Sequence, residues 1–202
     1  KAGFECYLVG GSCRDLLIGF EPKDFDFATN CPLPETKKIF NKVIATGKDH
    51  GALTVLFHEF QFEVTRYRKD VKTDGRRAVI SFSDSIEEDQ KRRDLRINSL
   101  AFDVVEEKLV DSQNGLRDFQ DKIVRFVGSA QKRIQEDHLR ALRYGRMVSL
   151  LAPHGFAYKE KEKTAVIEVF DSDYLSIERI YDEFAKIKKY PLKDKEFLKD
   201  FF

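Results

Sequence analysis

Two aspartates spaced by one residue, Asp24 and Asp26, are the first side chains able to do chemistry together. They lie in Asp24-Phe25-Asp26-Phe27, an alternation of period two. Successive side chains of a strand point to opposite faces. Both phenylalanines can therefore enter a core while both carboxylates project from the other face. Phe60-Gln61-Phe62-Glu63-Val64-Thr65 splits in the same way and leaves Glu63 and Thr65 outside. If the two strands are neighbours, Asp24, Asp26 and Glu63 share a surface. Carboxylates at that spacing raise one another's pKa unless a cation lies among them. Mg2+ suits such a place, because it is a hard cation that takes carboxylate and substrate-phosphate oxygens. A pair of such ions activates an attacking oxygen and steadies a leaving pyrophosphate. The plainer alternative is a solvated strand edge, although aspartate is disfavoured in strands.

Upstream, Gly10-Gly11-Ser12 joins a short strand, Cys6-Tyr7-Leu8-Val9, to a helix over Ser12–Ile18 that Gly19 closes. Glycines there let backbone N–H groups approach an anion. Arg14, on the first turn, adds a fork of donors suited to phosphate. The pattern is neither the Gly-x-Gly-x-x-Gly fingerprint nor a P-loop, and a tight turn without a ligand is the alternative.

Downstream, Arg92-Arg93-Asp94 precedes Ile97-Asn98-Ser99, and Glu136-Asp137-His138-Leu139-Arg140 is followed by Arg143 and Arg146. Asp137 and Arg140, three apart, are neighbours on a helix surface. Read plainly, they form a solvated ion pair worth about 0.2–0.5 kcal/mol. Held rigidly, they can instead read a base. A carboxylate accepts from an exocyclic amine, and a guanidinium donates to ring nitrogens and carbonyl oxygens. Such a pair selects a nucleotide without a base-paired template and leaves Arg143 and Arg146 to meet a triphosphate. The four histidines are scattered, and Cys6, Cys13 and Cys31 show no metal-ligand spacing, so all three cysteines read as small hydrophobes.

These side chains need a scaffold, and the composition supplies one. The 202 residues fit one or two domains. A hydrophobic share of 42 % suits a folded core and argues against disorder. With 36 basic and 35 acidic side chains the net charge is +1, which excludes a strongly basic polyanion-coating protein. No apolar run approaches the ~18–20 residues of a spanning helix, and no signal peptide opens the chain, so a cytoplasmic protein without membrane contact is expected, with mitochondria the alternative for a eukaryotic source.

Apolar residues alternate up to about Val127 and follow helical spacing after Ser129. The first part holds a helix near Glu35–Phe40 after Pro32 and Pro34. It also holds a hairpin, Leu53–Phe57 with Phe60–Thr65, turning at His58-Glu59. Strands at Leu109–Asp111 and Ile123–Val127 are expected around an Asn114-Gly115 turn. The second part is expected to hold a long helix over Gln131–Leu151, ended by Pro153 and Gly155. A last helix, capped by Ser176, would carry Ile177, Ile180, Phe184 and Ile187 on one face.

The segments occur together and in order. Leu8–Leu17 with Lys23-Asp24-Phe25-Asp26 resembles the signature of class II tRNA nucleotidyltransferases, the CCA-adding enzymes and bacterial poly(A) polymerases. Glu63–Arg68, Arg92–Asn98 and Glu136–Arg143 resemble their later motifs, so the likeness runs from about Tyr7 to Lys188. It implies an α+β head domain with a small mixed sheet over 1–128, then an all-helical neck over 129–202, without the further helical domains of the family. It implies metal-dependent addition of C and A to the 3′ end of tRNA from CTP and ATP. The alternatives are a poly(A) polymerase or a CC- or A-adding specialist. Outside that class stand a non-catalytic nucleotide- or RNA-binding module and a structural interaction domain.

Residue by residue, the resemblance makes Asp24 and Asp26 the Mg2+ ligands and catalytic carboxylates, with Glu63 as a third acid. Gly10, Gly11 and Arg14 meet the triphosphate. Arg93, Asp94 and Asn98 contact the nucleotide and help exclude deoxyribose. Asp137 and Arg140 read the base, beside Arg143 and Arg146. Lys69–Gln90, with Thr73-Asp74-Gly75-Arg76-Arg77, resembles the flexible loop implicated in switching from CTP to ATP. Two departures stand out. Ser12-Cys13 replaces the usual Ala-Val, and Gly145 lies within the helical segment carrying Arg146, where glycine costs about 1 kcal/mol against alanine.

Overall fold

The structure, a computed structural model, describes residues 2–47, 51–73 and 78–188. The chain divides into two compact units, one of 1–70, 80–93 and 98–115, the other of 71–79, 94–97 and 116 onward.

The first unit opens with β1 (Cys6–Val9), α1 (Gly11–Leu17), β2 (Phe25–Thr29) and α2 (Leu33–Ile39). It continues through β3 (Val43–Gly47), β4 (Ala52–Phe57) and β5 (Phe60–Arg66). Their sheet has the order β3-β4-β5-β2-β1, extended beyond β1 by β8 (Ala101–Asp103) and β9 (Lys108–Val110). All pairings are antiparallel except β2 with β5. The sheet is mixed, as expected, and the hairpin turns at His58-Glu59 with His58 at φ 52°. Leu53 and Val55 on β4 are buried, as are Val9, Ala28, Tyr67, Ile86 and Ala101, which form one core cluster.

β6 (Arg68–Thr73) pairs with β7 (Ala78–Phe82), and α3 (Ile86–Lys91) follows, its Ser85 hydroxyl accepting from Glu88 N. The stretch expected as a loop over 69–90 is thus largely strand and helix. Residues 74–77, its Asp-Gly-Arg-Arg centre, lie outside the described residues.

The expected Asn114-Gly115 hairpin gives way to α4 (Gly115–Asp121). The Asp111 carboxylate accepts from Gly115 N at 2.7 Å, which caps a helix start instead of closing a two-residue turn. Residues 123–127 are correspondingly not a strand. They make only single bridges, Leu95 with Phe126 and Ile123 with Ala157. The long helix is likewise two: α5 (Ala130–Glu136) and α6 (Leu139–Leu151), parted by Asp137 in an extended conformation. α6 runs unbroken through Gly145 and ends before Gly155, whose φ of 81° only glycine takes readily.

Sequence periodicity did not anticipate α7 (Glu160–Val169) or strands β3 and β8. α8 (Ile177–Lys188) begins where Ser176 accepts from Arg179 N. Ile180 packs against Leu139, Leu142 and Leu175, whereas Ile177, expected on the same face, is 82 % exposed. No helix among the described residues is long and apolar enough to cross a membrane.

Candidate active site

β1, β2 and β5 position the acids. Val9 sits opposite Asp26, and Asp26 lies in register with Glu63 across the parallel pair. This is the juxtaposition that alternation predicted, because cross-strand neighbours share a face. Asp24, expected within the strand, instead lies exposed in a bend just before β2, near enough to Asp26 to help raise its carboxyl. Burial, with Glu63 and Asp24 nearby, pushes the Asp26 carboxyl above its ordinary value, against the pull of Arg93.

Gly10, at φ 74° and ψ −139°, takes a backbone conformation that favours glycine. A Cβ there would sit 3.4 Å from Arg93 Nη1 and 3.5 Å from Asp26 Oδ2. The turn therefore runs directly against one acid and one cation. At Gly11 a Cβ would meet Arg14 Nη2 at 3.4 Å.

Both arginines are held. Arg14, 8 % exposed, donates from Nη1 to Asn98 Oδ1 at 2.9 Å and from Nε to Asp15 at 2.8 Å. Arg93 donates from Nε and Nη2 to Asp89 Oδ2, at 3.2 and 2.9 Å, and from Nη1 to the Asn98 carbonyl at 3.3 Å. The first unit thus gathers Gly10, Gly11, Arg14, Asp26, Glu63, Arg93 and Asn98. Sequence reasoning missed Asp89, although its spacing of four before Arg93 on a helix was the available signal.

Among the described residues, no group of three or more His, Cys, Asp or Glu side chains closes around a metal position. Asp24, Asp26 and Glu63 instead form an open acidic edge whose Asp26 resists ionisation. That donor set fits a hard divalent cation completed by oxygens of a substrate.

The second unit holds the other set. The sequence reading placed Asp137 and Arg140 on one helix, whereas Asp137 lies in the break between α5 and α6 and Arg140 lies on α6. Its carboxylate accepts from Leu139 N at 3.1 Å and from Arg179 Nη2 at 2.9 and 3.1 Å. Arg140, 7 % exposed, donates from Nη1 to Glu136 at 2.5 Å and to the Arg133 carbonyl at 3.3 Å. Arg179 thus holds Asp137, and Glu136 holds Arg140.

Glu183, 1 % exposed, accepts from Arg146 Nε at 2.7 Å and from Lys186 Nζ at 2.8 Å, with Arg143 Nε 3.7 Å away. Arg143 Nη1 lies 3.7 Å from Asp94. Burial pushes Asp94 up, but Arg143, the Leu95 N–H, Arg140 and Arg146 outweigh it and hold the carboxyl below its ordinary value. Glu183 and Arg179 were also missed. Glu183 follows Ile180 by three residues on the packed face of α8, where an acid demands a partner.

A strand–glycine turn–helix beside an acidic strand edge is the setting of a nucleotidyltransferase head. The family model described as the poly A polymerase head domain matches residues 6–125, more than half the chain. The chain belongs to that family. It is a metal-dependent nucleotidyltransferase family, and its head accounts for the mixed sheet described above. A CCA-adding enzyme of Lactobacillus johnsonii is 39 % identical over 200 residues, 98 % of this chain and 49 % of the relative. The human mitochondrial CCA tRNA nucleotidyltransferase 1 is 40 % identical over 195 residues, covering 93 % of this chain and 44 % of that protein. Among solved structures, the Bacillus stearothermophilus CCA-adding enzyme in complex with CTP superposes with a TM-score of 0.83 at 34 % identity, over 94 % of this chain and 46 % of that one. The chain spans about half the length of the curated relatives it matches.

Proposed function

We propose that the chain carries the catalytic half of a CCA-adding enzyme. It transfers nucleotides from CTP and ATP to the 3′ end of tRNA without a nucleic-acid template, and pyrophosphate leaves. The observation that carries the reading is Asp26, in register with Glu63 and set against Gly10 and Arg93. The names of the relatives support tRNA and CTP as substrates, and ATP supplies the A of CCA. The mitochondrial relative supports mitochondria as the alternative to the cytoplasm.

In this reading Asp24 and Asp26 hold Mg2+, with Glu63 reinforcing their negative field. When bound, the metal lowers the pKa of the attacking hydroxyl and offsets charge on the leaving pyrophosphate. Gly10 and Gly11 let the backbone approach the triphosphate, and Arg14 and Arg93 present oriented donors to it. Asn98, pinned by Arg14, lies beside them for contact with the sugar. The head extends over 1–128 and the neck over 129–202.

Asp137 and Arg140 take the base. A carboxylate has about four lone-pair sites. Those not used by Arg179 and Leu139 N can accept from the exocyclic amine that cytosine and adenine share and uracil lacks. Glu136 orients the Arg140 fork. Arg143 and Arg146 meet the phosphates, with Asp94 setting the position of Arg143.

The test is addition to a tRNA ending before its CCA. CTP alone should add C, and A should follow only when ATP is also present. Extension by ATP alone would point to a poly(A) polymerase. Asp26→Ala should lower the rate by about 10²–10³-fold, the scale of losing one electrostatic stabiliser of the transition state. An unchanged rate refutes the assignment.

A further inference from the structure

We propose that His138 is a positioning residue for base selection, clasping the α5–α6 corner that carries Asp137 to the segment that leads into α8. The inference rests on the base-reading role given to Asp137 above.

His138 is 6 % exposed, and its ring lies flat on Tyr174, with centroids 4.4 Å apart and planes 9° apart. Nδ1 accepts from Asp171 N at 3.0 Å. An accepting Nδ1 carries a lone pair, so the ring is neutral with its proton on Nε2. Asp171 and Tyr174 lead into α8, whose Arg179 donates to both oxygens of Asp137. Two clasps thus join the same corner to the same stretch of chain, one an ion pair and the other this uncharged imidazole.

The corner angle matters because Asp137 sits at φ −159° and ψ 107°, outside either helix. No helical repeat fixes where its carboxylate points. Its direction follows from the corner and from the two residues after it, His138 and Leu139, whose N–H it also accepts.

The charged groups around the ring are the carboxylates of Asp137 and Asp171, with Asp173 in the Asp171–Tyr174 segment and Arg179 on α8. Burial lowers the pKa of His138 below its ordinary value, against the pull of Asp171 and Asp137. A proton on Nδ1 would set two N–H donors face to face, and the bond to Asp171 would be lost. The corner then loosens and the aim of Asp137 degrades.

The experiment measures C addition against U misaddition to a tRNA lacking CCA, from pH 7.5 to 5.5. The ratio of the two cancels any common effect of pH on the attacking hydroxyl. The parent ratio should hold above pH 6.5 and fall roughly fivefold below it, the factor matching about 1 kcal/mol for one hydrogen bond. His138→Phe keeps the stack but not the acceptor, and should show the low ratio at every pH. His138→Gln offers an acceptor that does not titrate, and should restore a high ratio that is flat with pH. If the Phe variant does not fold, the parent profile and the Gln variant decide. A parent that adds C normally with a flat ratio overturns this assignment alone. A parent that adds no C at pH 7.5 overturns the functional reading and this assignment with it.

Discussion

Glu183→Gln tests whether the second unit is organised around one buried acid. The carboxylate is 1 % exposed and receives Arg146 Nε at 2.7 Å and Lys186 Nζ at 2.8 Å. The Lys186 side chain is 50 % exposed, which puts that pair in the surface range of about 0–1 kcal/mol. The Arg146 bond is the larger contribution, a charge-assisted hydrogen bond worth about 1.5–3 kcal/mol. Glutamine keeps the shape and one acceptor but removes the charge, so a loss of about 2 kcal/mol is expected. Glu183→Ala should cost about 3–5 kcal/mol, because it removes the acid that Arg146 donates to and leaves that bond unreplaced.

Because the chain has two units, a whole-chain melt mixes their responses. Hydrogen exchange of the α6 amides, with β1 amides as the internal reference, reads the local free energy directly. Burial pushes Glu183 up, but Arg146, Lys186 and Arg143 prevail and hold it below the ordinary glutamate value. Its contribution is therefore complete above that ordinary value and is lost as pH falls through the folded-state value. The Gln variant should show no such loss. A shift under about 0.5 kcal/mol at pH 7, confined to neither unit, would refute the reasoning, since surface substitutions alone reach that size.

Gly10→Ala should destabilise the first unit by about 1–3 kcal/mol through backbone strain, because its Cβ contacts are of ordinary length. CTP binding should weaken in parallel, and an unchanged thermal midpoint by circular dichroism would contradict the strain. Asp118 is fully buried, and burial pushes its carboxyl up to about 6 despite Arg125 Nη1 at 2.6 Å. Between its ordinary value of 3.8 and about 6, folding takes up a proton, so this group's contribution weakens as pH rises through that window. A carboxyl carbon titration by NMR should place the midpoint near 6, and Asp118→Asn should flatten the stability profile there.

Local pattern was enough for the acidic strand edge, the glycine turn and the β4–β5 hairpin. Each rests on period-two alternation or on a conformation few residues adopt, and both are properties of a few consecutive residues. The serine cap of α8 was legible for the same reason, since a cap bonds within its own turn. The adjacency of Asp26 to Glu63 was conditional in the sequence, because parallel pairing joins strands separated by α2 and two further strands.

Tertiary packing decided the rest. Continuous helical spacing across 131–151 concealed the break at Asp137, which is held by Arg179 from a helix forty-two residues later. Hydrophobic period reports which side faces a core and carries no information on a change of helix direction. Asp89 and Glu183 had no visible purpose until folding buried them beside arginines, and Glu136 and Arg179 had none until it set them against Arg140 and Asp137, since the cost of an unpaired charge exists only once water has been removed. The types of group available for catalysis belong to the amino-acid order, and their aim belongs to contacts between distant segments.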